Sequence, residues 1–68
     1  MNEKDIRGLL YLDNFINAWF LELPNHSTYE EAYESIEAIY TNYFGKRRYS
    51  GYKSFEVMKN RHTKLHKK

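Results

Sequence analysis

The sequence predicts an all-α fold, a small domain of three helices. Three observations carry that prediction. Apolar residues recur at three- and four-residue spacing in three segments. Helix punctuation falls between them, at Pro24, at Ser27-Thr28-Tyr29-Glu30-Glu31 and at Gly45. No alternating β-branched run bounded by turn residues occurs, so strands are not expected. The chain has 68 residues, enough for one domain with a limited core.

The first helix is expected over residues 6–23. Asp5 is its candidate N-cap. Pro24 ends it, because the residue before a proline is pushed out of the helical region. Leu9, Leu12, Ile16, Trp19, Phe20 and Leu23 share one face. Leu10 and Leu21 widen that face on one side, Tyr11 and Phe15 on the other. A helix apolar nearly all round needs more than one neighbour. Leu10, Tyr11, Phe15 and Leu21 are therefore the candidate partner or self-association surface, and this helix is the candidate seam of a homodimer.

The second helix is expected over residues 29–44. Thr28 and Glu31, or Ser27 and Glu30, fit a capping box, and acids in the first turn suit the helix dipole. Tyr29, Ala32, Tyr33, Ile36, Ile39, Tyr40 and Tyr43 form one stripe, read as core. Glu30, Glu31, Glu34 and Glu37 are expected on the opposite, solvated arc. Gly45 is the expected left-handed residue that closes the helix.

The third helix is expected to begin after Ser50 or Ser54. Tyr52, Phe55, Met58, His62 and Leu65 fall on the docking face. Lys53, Val57, Asn60, Lys64 and Lys67 fall on the other, with Arg61 and Lys68 beside them. Residues 1–63 are read as the domain and residues 64–68 as a basic tail expected to fray.

The net charge of +2 hides a polarity. Residues 1–44 sum to −6 and residues 45–68 to +8. Such a split points to a polyanionic partner for the basic end, or to attraction between the two halves. There is no cysteine, hence no disulfide framework and no thiolate metal site. Residues 1–7 mix acids and bases rather than forming the basic start of a secretory signal. Residues 8–23 are broken by Asp13, Asn14, Asn17 and Glu22, too polar to cross a bilayer. A cytoplasmic protein without a membrane partner is the expectation.

Several chemistries fail on spacing. A phosphate-binding P-loop needs four residues between its glycines and a lysine directly after the second. Here five residues separate Gly45 from Gly51, and Tyr52 precedes Lys53. His62 and His66 lie four apart, but two imidazoles among cations make no closed metal site. No serine has an evident histidine and acid in support, and three short helices offer little cleft for paired carboxylates. No catalytic residue, metal or cofactor is expected, and an enzyme is not the reading.

The basic segment remains. Lys46, Arg47 and Arg48 are candidate phosphate contacts from the turn, and Lys53 and Lys64 from the helix. Asn60 and Arg61 are the residue types that read adenine and guanine edges. Tyr49 and Tyr52, interleaved with cations, are candidates to stack on unpaired bases.

Residues 57–68, Val-Met-Lys-Asn-Arg-His-Thr-Lys-Leu-His-Lys-Lys, resemble the end of a homeodomain recognition helix. That likeness implies adenine contact by Asn60, with Arg61, Lys64 and Lys67 at the groove edge or backbone. It spans about twelve residues and departs from the family's pattern. Val57 stands where the pattern has tryptophan, His62 where it has arginine, and no basic arm leads the chain. Membership is not assigned on it.

The leading expectation is a small nucleic-acid-binding protein, DNA or RNA undetermined, that uses Lys46, Arg47, Arg48, Tyr49, Lys53, Asn60, Arg61 and Lys64. The alternative is a protein–protein adaptor or inhibitor, of the kind encoded by phages and mobile elements, acting through the apolar surface of the first helix.

Overall fold

The computed structural model describes residues 2–66 in the backbone and residues 2–64 in the side chains. Four α-helices follow in order: α1 (Glu3–Gly8), α2 (Leu12–Glu22), α3 (Tyr29–Phe44) and α4 (Tyr52–His66). A single 3-10 turn, Leu23–Asn25, carries Pro24 just after α2. No strand occurs among the described residues. The all-α class holds, and the count of three helices is corrected to four.

The correction lies in the first segment. The expected helix over residues 6–23 is two helices with a break at Leu9-Leu10-Tyr11. Leu9, Leu10 and Tyr11 each donate an N–H to the carbonyl three residues back, which tightens the chain. Tyr11 then turns extended (φ −96°, ψ 133°) and leads into α2. Asn14 donates its side-chain N–H to the Gly8 carbonyl at 3.1 Å, capping the end of α1. The N-cap of α1 is Asn2, whose Oδ1 accepts from the Asp5 N–H at 2.8 Å. Asp5 is thus inside the helix and not its cap.

Burial explains the break. Leu9 and Phe15 are both buried, with 1% and 0% of their surface exposed. Six residues apart on one continuous helix, they would point roughly 120° apart. Breaking the helix between them lets both face the same core. Phe15 therefore leaves the surface set proposed from the sequence. Phe20, expected on the inner face, turns outward instead.

Helix α3 has the expected bounds. The Thr28 hydroxyl accepts from the Glu31 N–H, and the Glu31 carboxylate accepts from the Ser27 N–H. Gly45 ends it at φ +82°, a left-handed conformation that side-chain-bearing residues adopt at a cost. Ala32, Tyr33, Ile36 and Tyr40 are buried, while Tyr29 and Tyr43 at the ends of the stripe are exposed. Two expectations fail here: Tyr29 and Tyr43 are not core, and Glu37 is fully buried, not on the solvated arc.

The core is aromatic, and two rings organise it. Phe15 of α2 lies against Tyr33, Tyr40, Tyr49 and Phe55 at centroid distances of 5.3–6.4 Å. Phe55 of α4 touches Trp19 at 5.5 Å and stacks on Tyr33 at 5.1 Å. One phenylalanine from each flanking helix thus meets the tyrosines of α3. The Trp19 indole N–H is satisfied by the Tyr29 carbonyl at 2.9 Å, which ties α2 to the start of α3.

Replacing Phe15 with alanine should cost about 3–5 kcal/mol. Total stability for this size is on the order of 3–10 kcal/mol, taking ~0.05–0.15 per residue. Urea denaturation should find Phe15→Ala destabilised by about 3–5 kcal/mol, with Tyr11→Ala within about 0.5 kcal/mol of the parent. Equal, small losses in both variants would mean that Phe15 is on the surface after all.

Candidate nucleic-acid interface

The basic segment follows directly from the way α3 ends. Gly45 donates its N–H to the Thr41 carbonyl at 2.8 Å and reverses the chain. The next residues wrap around the buried Glu37 carboxylate. Its oxygens accept the Arg48 N–H at 2.7 Å and the Tyr49 N–H at 3.2 Å. The Tyr33 hydroxyl donates to the same group. Three donors, two from the loop, replace the water that a buried carboxylate would otherwise need.

This wrapping decides where the three consecutive cations go. Lys46 is exposed. Arg47 folds back along α3 and grips both Glu34 oxygens, at 3.2 and 3.1 Å. Its guanidinium also donates to the Tyr33 hydroxyl and the Tyr49 carbonyl. The bond to Glu34 is the main reason that the Arg47 pKa rises above its ordinary value. Both side chains remain partly exposed, so the pair contributes about 1 kcal/mol at most. Arg48 turns toward the core, its guanidinium carbon 5.8 Å from the Phe15 ring centre and 5.0 Å from that of Tyr49. Its Nε is buried and has no hydrogen-bond partner.

Tyr49 is also turned inward. Its ring meets Phe15 edge-on at 5.7 Å and Phe55 at 5.9 Å. The ring is therefore committed to the core, and stacking on a base would require the loop to open. Burial raises its hydroxyl pKa.

Helix α4 starts at Tyr52, where the Phe55 N–H closes the first turn on the Gly51 carbonyl. Phe55 anchors it, and Tyr52, Met58 and His62 are half-buried beside that anchor. His62 Nε2 lies 2.6 Å from Asp13 Oδ1, fastening α4 to the start of α2. The opposite face carries Lys53, Asn60, Arg61 and Lys64, all exposed, around an exposed Val57. The helix continues through His66, so it covers the first three residues of the expected tail. Lys67 and Lys68 lie outside the described residues.

Lys59 was not among the residues singled out from the sequence. Its ammonium stands 5.3 Å from the Trp19 ring centre and donates to Asn60 Oδ1 at 2.9 Å. Glu37 was missed as well. The signal for it was present: it lies four residues after Tyr33 and three before Tyr40, on the edge of the tyrosine stripe.

Of the surface set on the first segment, Leu10, Tyr11 and Leu21 are exposed, at 50%, 69% and 70%, and Phe15 is not. Among the described residues no helix is long and apolar enough to cross a membrane. No group of three or more potential metal ligands occurs among them. No protein-family model, curated protein or solved structure matches this chain.

The tyrosines around the loop set an alkaline limit. Burial, and then the bond to Glu37, push the Tyr33 hydroxyl well above its ordinary value; burial raises those of Tyr49 and Tyr52. An acid whose pKa is raised by folding binds its proton more tightly in the native state. Their contribution is complete below the unfolded value, about pH 10, and is lost as pH rises above it. Denaturant stability should therefore decline above about pH 10. In Tyr33→Phe that decline should be shallower by up to about 1.4 kcal/mol per pH unit. An unchanged slope in Tyr33→Phe would refute the assignment.

Proposed function

We propose that the protein binds nucleic acid through the outer face of α4, with Lys46 at its edge. One observation carries this reading. Lys53, Asn60, Arg61 and Lys64 are all exposed on one side of a single helix. One carboxylate borders them, three residues after Lys53 and four before Asn60. The only acid of α4, Glu56, lies against the Tyr52 hydroxyl and raises its pKa after burial has done so. An α-helix with side chains is about 10–12 Å across, and the major groove of B-DNA is about 12 Å wide. Lysines on such a face neutralise phosphates, while asparagine and arginine have the donor and acceptor sets that read base edges. The basic turn contributes less than its charge suggests, since Arg47 is paired with Glu34. The reading is that of a binding protein and not of an enzyme.

Three lysines meeting phosphates, Lys46, Lys53 and Lys64, should give a salt dependence with a log–log slope of about −2.7 on duplex DNA. Reversing Lys53, Arg61 and Lys64 to glutamate should abolish binding at low salt. Lys64→Ala alone should reduce the slope by about 0.9. Fluorescence anisotropy with labelled duplex and single-stranded oligonucleotides measures both, with circular dichroism checking that each variant is folded. Binding by the folded triple variant at parental affinity would sink the reading.

A second reading has its own observation. Leu10, Tyr11, Phe20 and Leu21 expose half or more of their surface, much apolar area for so small a protein. A protein partner, or a second copy of the chain, would cover it. Sedimentation velocity at micromolar concentration separates the two. A dimer that Leu21→Glu dissociates assigns the surface to self-association. A monomer that also fails to bind nucleic acid favours the adaptor reading.

A further inference from the structure

Among the described residues Arg48 is a partly buried cation whose guanidinium no carboxylate meets. Its guanidinium packs against two aromatic rings, Phe15 and Tyr49, which strip water from it. The two α3 carboxylates that the loop meets are already occupied. Glu37 gives its oxygens to the Arg48 and Tyr49 N–H groups and to Tyr33. Glu34 gives both of its oxygens to Arg47. Among the described residues no ion pair includes Arg48, and its buried Nε has no acceptor. A partly buried guanidinium with no carboxylate in direct contact is costly, and an anion that meets its outer nitrogens would offset that cost.

The surroundings are suited to receive one. Arg48 lines a groove of about 560 Å³ with Leu12, Tyr49, Ser54, Val57 and Met58. Ser54 belongs to the first turn of α4, the end of a helix that favours negative charge. Its hydroxyl lies 2.9 Å from that of Ser50. When one hydroxyl of that pair donates to the other, the acceptor's own proton remains available to a ligand. Val57 is both a wall of the groove and part of the exposed face of α4, and Lys53 directly precedes Ser54. The groove therefore adjoins the basic helix face.

We propose that this groove seats one phosphate of the nucleic-acid backbone, held by the Arg48 guanidinium and the Ser54 hydroxyl. The proposal rests on the nucleic-acid reading of α4 and extends it. Arginine suits the role because its planar fork offers paired donors to phosphate oxygens while its face stays stacked on the rings. A purely structural Arg48, a flat lid over Phe15, would be replaced by methionine without effect on binding.

The test uses the full chain. In Arg48→Met, which keeps the length of the stem, affinity for the oligonucleotide that the parent binds should fall about five- to tenfold. The log–log salt slope should decrease by about 0.7–0.9, the share of one phosphate. Ser54→Ala should weaken binding about two- to threefold and serves if Arg48→Met fails to fold. In the parent protein, NMR of the arginine Nε–H groups during titration with inorganic phosphate, against chloride at equal ionic strength, should move the Arg48 signal. Parental affinity and slope in folded Arg48→Met, or an Arg48 signal that phosphate does not move, overturns the seat while the α4 reading stands. Loss of binding in Arg48→Met with full binding by the α4 triple reversal overturns the α4 reading instead. A response to an acidic peptide but to no oligonucleotide overturns both.

Discussion

The fold turns on one buried carboxylate. Glu37 sits in the middle of α3, inside an aromatic core, where an ionised group needs donors or it destabilises everything around it. The donors come from Tyr33, one turn earlier, and from the backbone of Arg48 and Tyr49. The loop is thereby sewn to the helix it has just left. That attachment aims the Tyr49 ring at Phe15, places Arg48 over the same ring, and sets where α4 begins. Removing the carboxylate would leave two loop N–H groups without their acceptor. Keeping it without the loop would leave a charge in a core of rings. Neither half is stable alone, which gives a short connection a defined shape.

A second constraint is the shortage of core. So few residues bury a large aromatic set only if nearly every apolar side chain near the centre can turn inward. The break at Leu9-Leu10-Tyr11 serves that need. It trades one turn of helix for the burial of both Leu9 and Phe15. Leu9, Leu10 and Tyr11 keep their N–H bonds, to carbonyls three residues back, and burying a large side chain stabilises by about 1.5–3 kcal/mol. The exchange favours the break. What remains outside, Leu10, Tyr11, Phe20 and Leu21, is the apolar surface that the geometry could not use.

The charge polarity is divided between two uses. Part of it is internal: Arg47 meets Glu34. The rest is presented outward on α4, where Lys53, Asn60, Arg61 and Lys64 face solvent together. Attraction between the halves, one of the two expectations raised by the split, thus has a residue pair assigned to it. Arg48 belongs to neither group, and that is why it stands out.

Much of this was legible beforehand. Periodicity and punctuation located α3 to the residue, because a capping box, a tyrosine stripe and a glycine at φ +82° are all local devices. The outward face of α4 was legible for the same reason: residues spaced three and four apart share a side whatever the helix packs against. Gly8, an isolated glycine within the first apolar segment, was the one local hint of the break, and a weak one. Arg47, Arg48 and Tyr49 were not legible, and Glu37 was legible only through its place at the edge of the tyrosine stripe. Charge type alone places a glutamate and two arginines in water, and only a loop folded back over the core reverses that. By itself the sequence determined the class of fold, the bounds of its central helix and the basic side of its last one, because each follows from spacing along the chain. Tertiary structure decided which cations are spent and which are displayed, because that depends on which carboxylates and rings the folded chain brings within reach.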